Sequence, residues 1–297
     1  MKRMKTAIWT IILCISLIVL LLMFPQVAHE GADLGVALFM EALFPYLLPY
    51  LILTNWFIRL TAQPATTASY FLFFKTYLIS AVGGFPTGAA TIAHLSKQGQ
   101  LTPKQAAFLL GICHSPSPLF VFGFVGHDLF QSTAIAWKYL LLVHAVSLIV
   151  LTVAYFYLPK ANFTAQPFKK DSEPFTNSIK DSVPTVLIVA ATIVFFTTVY
   201  SVFLHSTDSL FQNLPEHFHL AVAGLLEMTN GLYLLHNVLI GDALLLATVA
   251  LLTTQSLSIH LQVIVIARSA KIAIRPYIWI RLAYSLAIPI LFYLIFL

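Results

Sequence analysis

Apolar runs of about 20 residues alternate with short polar segments along the whole chain, at residues 6–24, 34–58, 70–95, 103–126, 138–158, 184–204, 220–239, 243–267 and 277–297. A helix needs about 20 apolar residues to cross the hydrocarbon layer, and a helix satisfies every backbone donor within its own segment. The runs are continuous rather than alternating, so they predict helices and not barrel strands. The pattern therefore predicts an all-α polytopic membrane protein with about eight membrane segments, since the nine stretches need not all cross. The first run follows Lys2, Arg3 and Lys5. It is longer than the roughly 7–15 residues of a signal-peptide core, and residues 25–29 hold no small-x-small cleavage site, so it reads as a membrane helix.

Two runs contain helix breakers. Gly83-Gly84-Phe85-Pro86-Thr87-Gly88 interrupts one, and His114-Ser115-Pro116-Ser117-Pro118 interrupts the next. Irregular backbone survives at membrane depth only where protein or a wet cavity surrounds it, so these breaks are expected to line a solute path, with broken or re-entrant helices on either side. Ser117 before Pro118 is a candidate N-cap with proline at the first helical position. The half-helix it starts carries roughly half a positive charge and free N–H groups, a setting that favours an anion. Gly84 and Gly88, flanking Pro86 and Thr87, permit close backbone approach or positive φ. The alternative is a pair of proline kinks packed against neighbouring helices.

Charge placement makes the same segments unusual. Lys160, Lys169, Lys170 and Lys180 put residues 160–181 on the cytoplasmic side together with the N-terminus, whereas residues 206–219 carry no Lys or Arg and are expected outside. Arg268, Lys271, Arg275 and Arg281 pull their region inside. Three runs lie between the Arg59 and Lys75 side and the 160–181 connection, where an even number of crossings is required. Two runs lie between the Asp208 loop and Arg268, where an odd number is required. One run in each set should therefore be re-entrant or folded into a hairpin. The two breaker motifs fall in the first set and Thr229-Asn230-Gly231 falls in the second. Pro45, Pro86 and Ser117 are spaced much as Pro184, Asn230 and His260 are, which suggests an inverted repeat of two halves. The expected organisation is a membrane helix at 1–30, a first half at 31–159, a cytoplasmic connection at 160–181 and a second half at 182–297.

Ionisable residues in or beside the runs include Glu41, His94, His114, His144, Glu227, His236, Asp242 and His260. A charge at mid-helix costs about 2.5–3.5 kcal/mol on insertion scales. Glu227, next to Thr229, Asn230 and Gly231, is the candidate for a coupling proton or cation, the alternative being an interhelical hydrogen-bonding residue. His144 and His236 read as packed or interfacial, while Glu41, His94 and Asp242 lie near run ends and reach for headgroups. Only 9% of the 297 residues are charged and mean hydropathy is +0.89, against roughly 25% charged residues in soluble domains. The net charge of +5 lies in loops, so no nucleic-acid partner is expected. The partners implied are the lipid bilayer and a small-molecule solute, with a homo-oligomer left open. Cys14 and Cys113 both lie in apolar runs, which speaks against a disulfide, a metal site or a cofactor. There is no HExxH, no GxSG nucleophile and no pair of intramembrane aspartates, so no enzyme is expected, and without a phosphate-binding loop a gradient would supply the energy. A non-transporting scaffold or assembly factor would explain the helices but not the breaks.

The run GGFPTGAATIAHLSKQGQLTPKQAAFLLGICHSPSPLFVFGFVG, followed by LLEMTNGL and then LSIHLQV, resembles the sporulation integral membrane protein YlbJ family of the nucleoside-recognition, or Gate, superfamily. The resemblance implies a multi-pass protein of the cell membrane or a forespore membrane in spore-forming bacteria. It also implies two Gate-like halves and a permease-like role, with dipicolinate or another small anionic solute as cargo and nucleosides as the alternative. It places the central, solute-binding site at Gly84, Pro86, Thr87, Gly88, His114, Ser115, Ser117, Pro118, Thr229, Asn230, Gly231, Ser258, His260 and Gln262, with Glu227 beside it.

Overall fold

A computed structural model describes residues 2–61, 69–159, 171–211 and 214–297. Among these residues the regular structure is entirely helical. The helices are α1 (Lys2–Met23), α2 (Pro25–Leu38), α3 (Phe44–Leu60), α4 (Tyr70–Gly83), α5 (Thr87–Lys97), α6 (Pro103–Ile112), α7 (Pro118–Phe120), α8 (Ala134–Tyr157), α9 (Pro174–Leu210), α10 (Glu216–Leu226), α11 (Met228–Val238), α12 (Gly241–Thr254), α13 (Leu257–Ser269) and α14 (Arg275–Phe296). Two π-helical stretches, Phe39–Leu43 and Val121–Leu129, join α2 to α3 and extend α7. Among the described residues four spans are long and apolar enough to cross a bilayer: α8, α9, α12 with α13, and α14. A fifth is possible if α1 and α2, bent by 102°, count as one. The other apolar runs of the sequence are broken into shorter helices, and this is an integral membrane α-helical protein.

The longest helix, α9, is the spine. Its 37 residues are lined by α2 and α3 running the opposite way, as side-chain pairs along its length record. Phe24 stacks edge-on with His205 at 4.9 Å, Asn55 donates to Ser182 at 3.0 Å, and Arg59 pairs with Asp171 and Asp181. Gly31 and Gly35 let α2 lie close: a Cβ at Gly31 would stand 2.9 Å from Ser201, and one at Gly35 would stand 2.7 Å from the Val194 backbone. In lipid, where water gives helices no reason to associate, small residues at such spacing supply the contact through close packing. Helical Ser and Thr hydroxyls at Thr76, Ser80, Ser182 and Thr253 donate to the carbonyl four residues back, so they are buried without an orphaned donor.

The contacts at the two ends of α9 give the direction of the helices that follow α3. At the Arg59 end, Lys75 reaches Thr61, Tyr70 bonds Thr152 at 3.2 Å, Gln105 donates to the Pro159 carbonyl at 3.2 Å, and Lys97 reaches Ser269 at 3.3 Å. At the His205 end, His219 lies 3.0 Å from Asp208, Phe130 packs on His236, and Lys138 sits over the Phe296 ring. Hence α4 and α5 both open at the Arg59 end and form a re-entrant hairpin, whereas α10 and α11 form a second hairpin entering from the His205 end. The α6–α7 stretch crosses from the Arg59 end as a broken span, and α8 returns. After α9, the α12–α13 stretch crosses back as a second broken span and α14 completes the passage. Segments 70–97 and 216–238 thus each enter and leave at one end of α9.

Several boundaries differ from the sequence expectation. The connection expected at 160–181 is helical from Pro174, because Pro184 lies inside α9 and is tolerated there. Lys160, Lys169 and Lys170 lie outside the described residues. The boundary expected at residue 30 falls within α2, which belongs with α9. Arg281, expected as a topology marker, is instead buried within α14. Glu41, expected near a headgroup, lies at the level where Leu43 and Leu47 meet Val189 and Ile193, near the middle of α9.

Candidate functional site

Four breaks meet at that middle level. They are Gly84–Pro86 between α4 and α5, Cys113–Ser117 between α6 and α7, Glu227 between α10 and α11, and Gln255–Ser256 between α12 and α13. The first two are held together by backbone: Phe85 N–H donates to the Ser115 carbonyl at 3.0 Å. Gly84 has φ +68° and ψ −171°, and a Cβ there would stand 2.4 Å from the Ser117 nitrogen. At Gly88 a Cβ would stand 2.1 Å from the Cys113 carbonyl oxygen. Both glycines are therefore required by the approach of one break to the other, as the GGFPTG motif suggests.

Each break restarts a helix with its N-terminus toward the centre. Ser117 accepts from Phe120 N–H at 3.2 Å, so it is the N-cap expected, with Pro118 first in the helix. Glu227 caps α11: its carboxylate accepts from Asn230 N–H at 2.9 Å and from the Thr229 hydroxyl at 3.3 Å. Ser256 precedes α13 and shares a 2.7 Å hydroxyl contact with Ser258. Thr87 begins α5, its hydroxyl donating to the Gly83 carbonyl at 3.3 Å. Gly231 lies where the second hairpin is tightest, since a Cβ there would stand 2.5 Å from Gly224 Cα.

A small cavity of about 30 Å³ sits among these N-termini, lined by Glu227, Thr229, Ser258 and Gln262 on the polar side and by Pro86, Leu43, Leu47, Phe85 and Phe120 among its apolar residues. Such a volume holds a water or two, with polar partners to bind them. The expected site residues divide here into two groups. Pro86, Glu227, Thr229, Ser258 and Gln262 line the cavity; Gly84, Thr87, Gly88, Ser117, Pro118, Asn230 and Gly231 shape the breaks around it. His114, Ser115 and His260 lie outside its lining.

The histidines belong to a second centre that the sequence reading missed. His260 Nε2 is 2.9 Å from the Thr254 carbonyl, which only accepts, so that nitrogen carries the proton of the neutral ring. His260 Nδ1 then accepts from the Tyr277 hydroxyl at 2.6 Å, and the Tyr277 oxygen accepts from His114 Nε2 at 3.2 Å. Arg281 lies beside them, 4% exposed, donating to the His114 carbonyl at 2.8 Å and to the Thr253 carbonyl. Those carbonyls lie just past the end of α6 and in the last turn of α12, so the guanidinium sits beside the negative ends of two half-helices. In the sequence Arg281 resembles a loop charge, because the nearby Arg268, Lys271 and Arg275 make it look like one of a set. Its signal was a lone Arg between Ile280 and Leu282 within an apolar helix. Of the remaining intramembrane groups, His144 Nδ1 bonds Tyr77 at 2.7 Å and is packed as expected.

A wider cavity of about 320 Å³ lies beside the small one, bounded by Glu41, Tyr50, Ser117, Phe124, His127 and Asp128 among others. Leu43, Leu47, Phe85 and Phe120 line both cavities. It was not anticipated, because its wall is assembled from α3, α4 and the helix after Ser117.

Comparison with known proteins supports the resemblance drawn from the motifs. The sporulation integral membrane protein YlbJ of Bacillus subtilis (strain 168) is 29% identical to this chain over 122 residues. The matched segment covers 37% of this chain and 30% of the relative, so the chain matches about a third of that protein's length. No family model matches the chain, and no solved structure matches it.

Proposed function

We propose that this protein is a secondary membrane carrier for a small anionic solute, built from two halves that are inverted with respect to each other. The single observation that carries the reading is the meeting of four helix breaks at one depth around a polar cavity. Half-helices are costly in a membrane unless their freed backbone groups face protein or a solute path. The order of elements supports the inversion: a passage along the full length of the site, a re-entrant hairpin, a broken span and a whole span occur as α2 with α3, α4–α5, α6–α7 and α8, and again in opposite directions as α9, α10–α11, α12–α13 and α14. Corresponding positions such as Ala134 and Arg275, or Gly84 and Glu227, are separated by roughly 140 residues.

The charge at the centre favours an anion. Four helix N-termini face the cavity, while Arg281 neutralises the carbonyl ends of two of the half-helices that run into the centre. Glu227 is the sole carboxylate in the cavity lining, and its proton or a cation would accompany the solute. In the state described the cavity is too small for such a solute, so loading requires the breaks to separate. The similarity to a sporulation membrane protein supports dipicolinate as the first solute to test, in a forespore or cell membrane; a nucleoside is the alternative.

The test is uptake of labelled dipicolinate by proteoliposomes holding the purified protein, with Ser117→Leu as the blocked control. Uptake abolished in the control supports the carrier and its anionic cargo. Absence of uptake by folded protein rejects dipicolinate and moves the search to nucleosides and other small carboxylates.

A further inference from the structure

The two cavities of the site are neighbours that share part of their lining. The wider one runs from Gly83 and Ser117 at the breaks to His127 and Asp128 at the His205 end, where both of those side chains are exposed. The smaller one lies beyond, against Glu227, Thr229, Ser258 and Gln262. Leu43, Leu47, Phe85 and Phe120 are the residues common to both walls, and none carries a polar side chain. They come from both sides of the boundary: Leu43 and Leu47 from the strip packed on α9, Phe85 from the first break, and Phe120 from the turn that Ser117 caps.

We propose that these four side chains form a hydrophobic gate, and that solute reaches the central cavity from the His205 end through the vestibule bounded by Glu41, His127 and Asp128. This rests on the carrier reading. A constriction of apolar side chains excludes water by dewetting, and it opens when side chains rotate or the elements bearing them move apart. The positions fit that role. Phe120 stands in the first turn of a half-helix whose N-cap is a single serine hydroxyl, and its ring meets Phe124 at 5.3 Å on the vestibule side. Phe85 sits in a break held to the next by one backbone hydrogen bond, to Ser115. Leu47 is buried against Val186, Val189 and Ile193 and is the fixed lip. A displacement of either break relative to α3 would therefore join the two cavities without unfolding a helix.

The experiment is thiol labelling with a membrane-impermeant, positively charged methanethiosulfonate in proteoliposomes, on a background lacking Cys14 and Cys113. Ser258→Cys reports the central cavity and Gly123→Cys reports the vestibule, where an added side chain meets nothing within 4 Å. The gate requires Gly123→Cys to react and Ser258→Cys to be protected, and requires Phe120→Ala, or Leu47→Ala should Phe120→Ala fail to fold, to raise the Ser258→Cys rate about tenfold or more. Equal reaction at Ser258→Cys with and without the large side chains overturns the gate while leaving a wet path and the carrier intact. Protection at Ser258→Cys in all folded variants, with Gly123→Cys reactive, also overturns it. No reaction at Gly123→Cys removes the wet vestibule, and both the gate and the carrier reading fall with it.

Discussion

The approach of the first break to the second rests on two glycines, and four glycine-to-alanine variants separate the physical causes. Gly84 combines positive φ with an extended ψ, a region essentially restricted to glycine, and a Cβ there would stand 2.4 Å from the Ser117 nitrogen and 2.8 Å from its Cα. Backbone atoms cannot rotate away. Gly84→Ala should cost about 1–3 kcal/mol in backbone strain and about 1–3 kcal/mol in overpacking, or roughly 2–6 kcal/mol together. Gly88→Ala meets the Cys113 carbonyl oxygen at 2.1 Å without a positive φ, so it should show the overpacking share alone, about 1–3 kcal/mol. Gly99→Ala has φ +70° and nothing within 4 Å, so it should show strain alone, about 1–2 kcal/mol. Gly123→Ala has neither and should be neutral or slightly stabilising, by up to about 1 kcal/mol. The assay is the unfolding midpoint in mixed micelles titrated with denaturing detergent. If Gly84→Ala is no more destabilised than Gly99→Ala, the breaks do not touch and the assembly of the site is wrong.

The remaining predictions concern charges. Arg281→Met keeps the aliphatic stem but leaves the carbonyls of His114 and Thr253 without their donor; with hydrogen bonds to a charged group worth about 1.5–3 kcal/mol each, less the relief of guanidinium desolvation, unfolding titrations should show a net loss of about 2–4 kcal/mol. Arg281→Lys should recover only part of this, since an ammonium lacks the fork that reaches both acceptors. Glu227→Gln retains an oxygen to accept from Asn230 N–H, so stability should change by no more than about 1 kcal/mol while the pH dependence of uptake disappears; a variant that keeps the parent's pH profile of uptake would remove the coupling role. Asp171, outside the membrane spans, is held below the ordinary aspartate range by the Glu173 N–H, Asn177 and Arg59, in that order. Its contribution is fully present above its unfolded pKa of about 3.9 and lost as pH falls through the lower folded value, so Asp171→Asn should be less stable than the parent at pH 7 and equal to it in acid.

The sequence by itself determined the class of protein, the positions of the strongest breaks and the need for two re-entrant segments. Apolar run length and Lys and Arg placement are local quantities tied directly to bilayer thickness and membrane charge asymmetry. The parity of crossings could therefore be worked out before any contact was known, and it asks for folded-back segments of the kind that α4–α5 and α10–α11 form. Ser117 as N-cap was legible for a similar reason, since capping acts within three residues. Which of these residues share a cavity was not legible. His114 and Ser117 are neighbours in one motif, yet the backbone turn between them sends one toward Tyr277 and Arg281 and the other toward the vestibule. Glu41 and Arg281 looked like interfacial charges until packing placed one on a cavity wall and the other across two helix ends. The break at Gln255, with φ +64° and no glycine or proline, carries no sequence signal of its own. Side-chain direction at a helix break depends on what packs against it from helices distant in the chain, and only the tertiary structure supplies that.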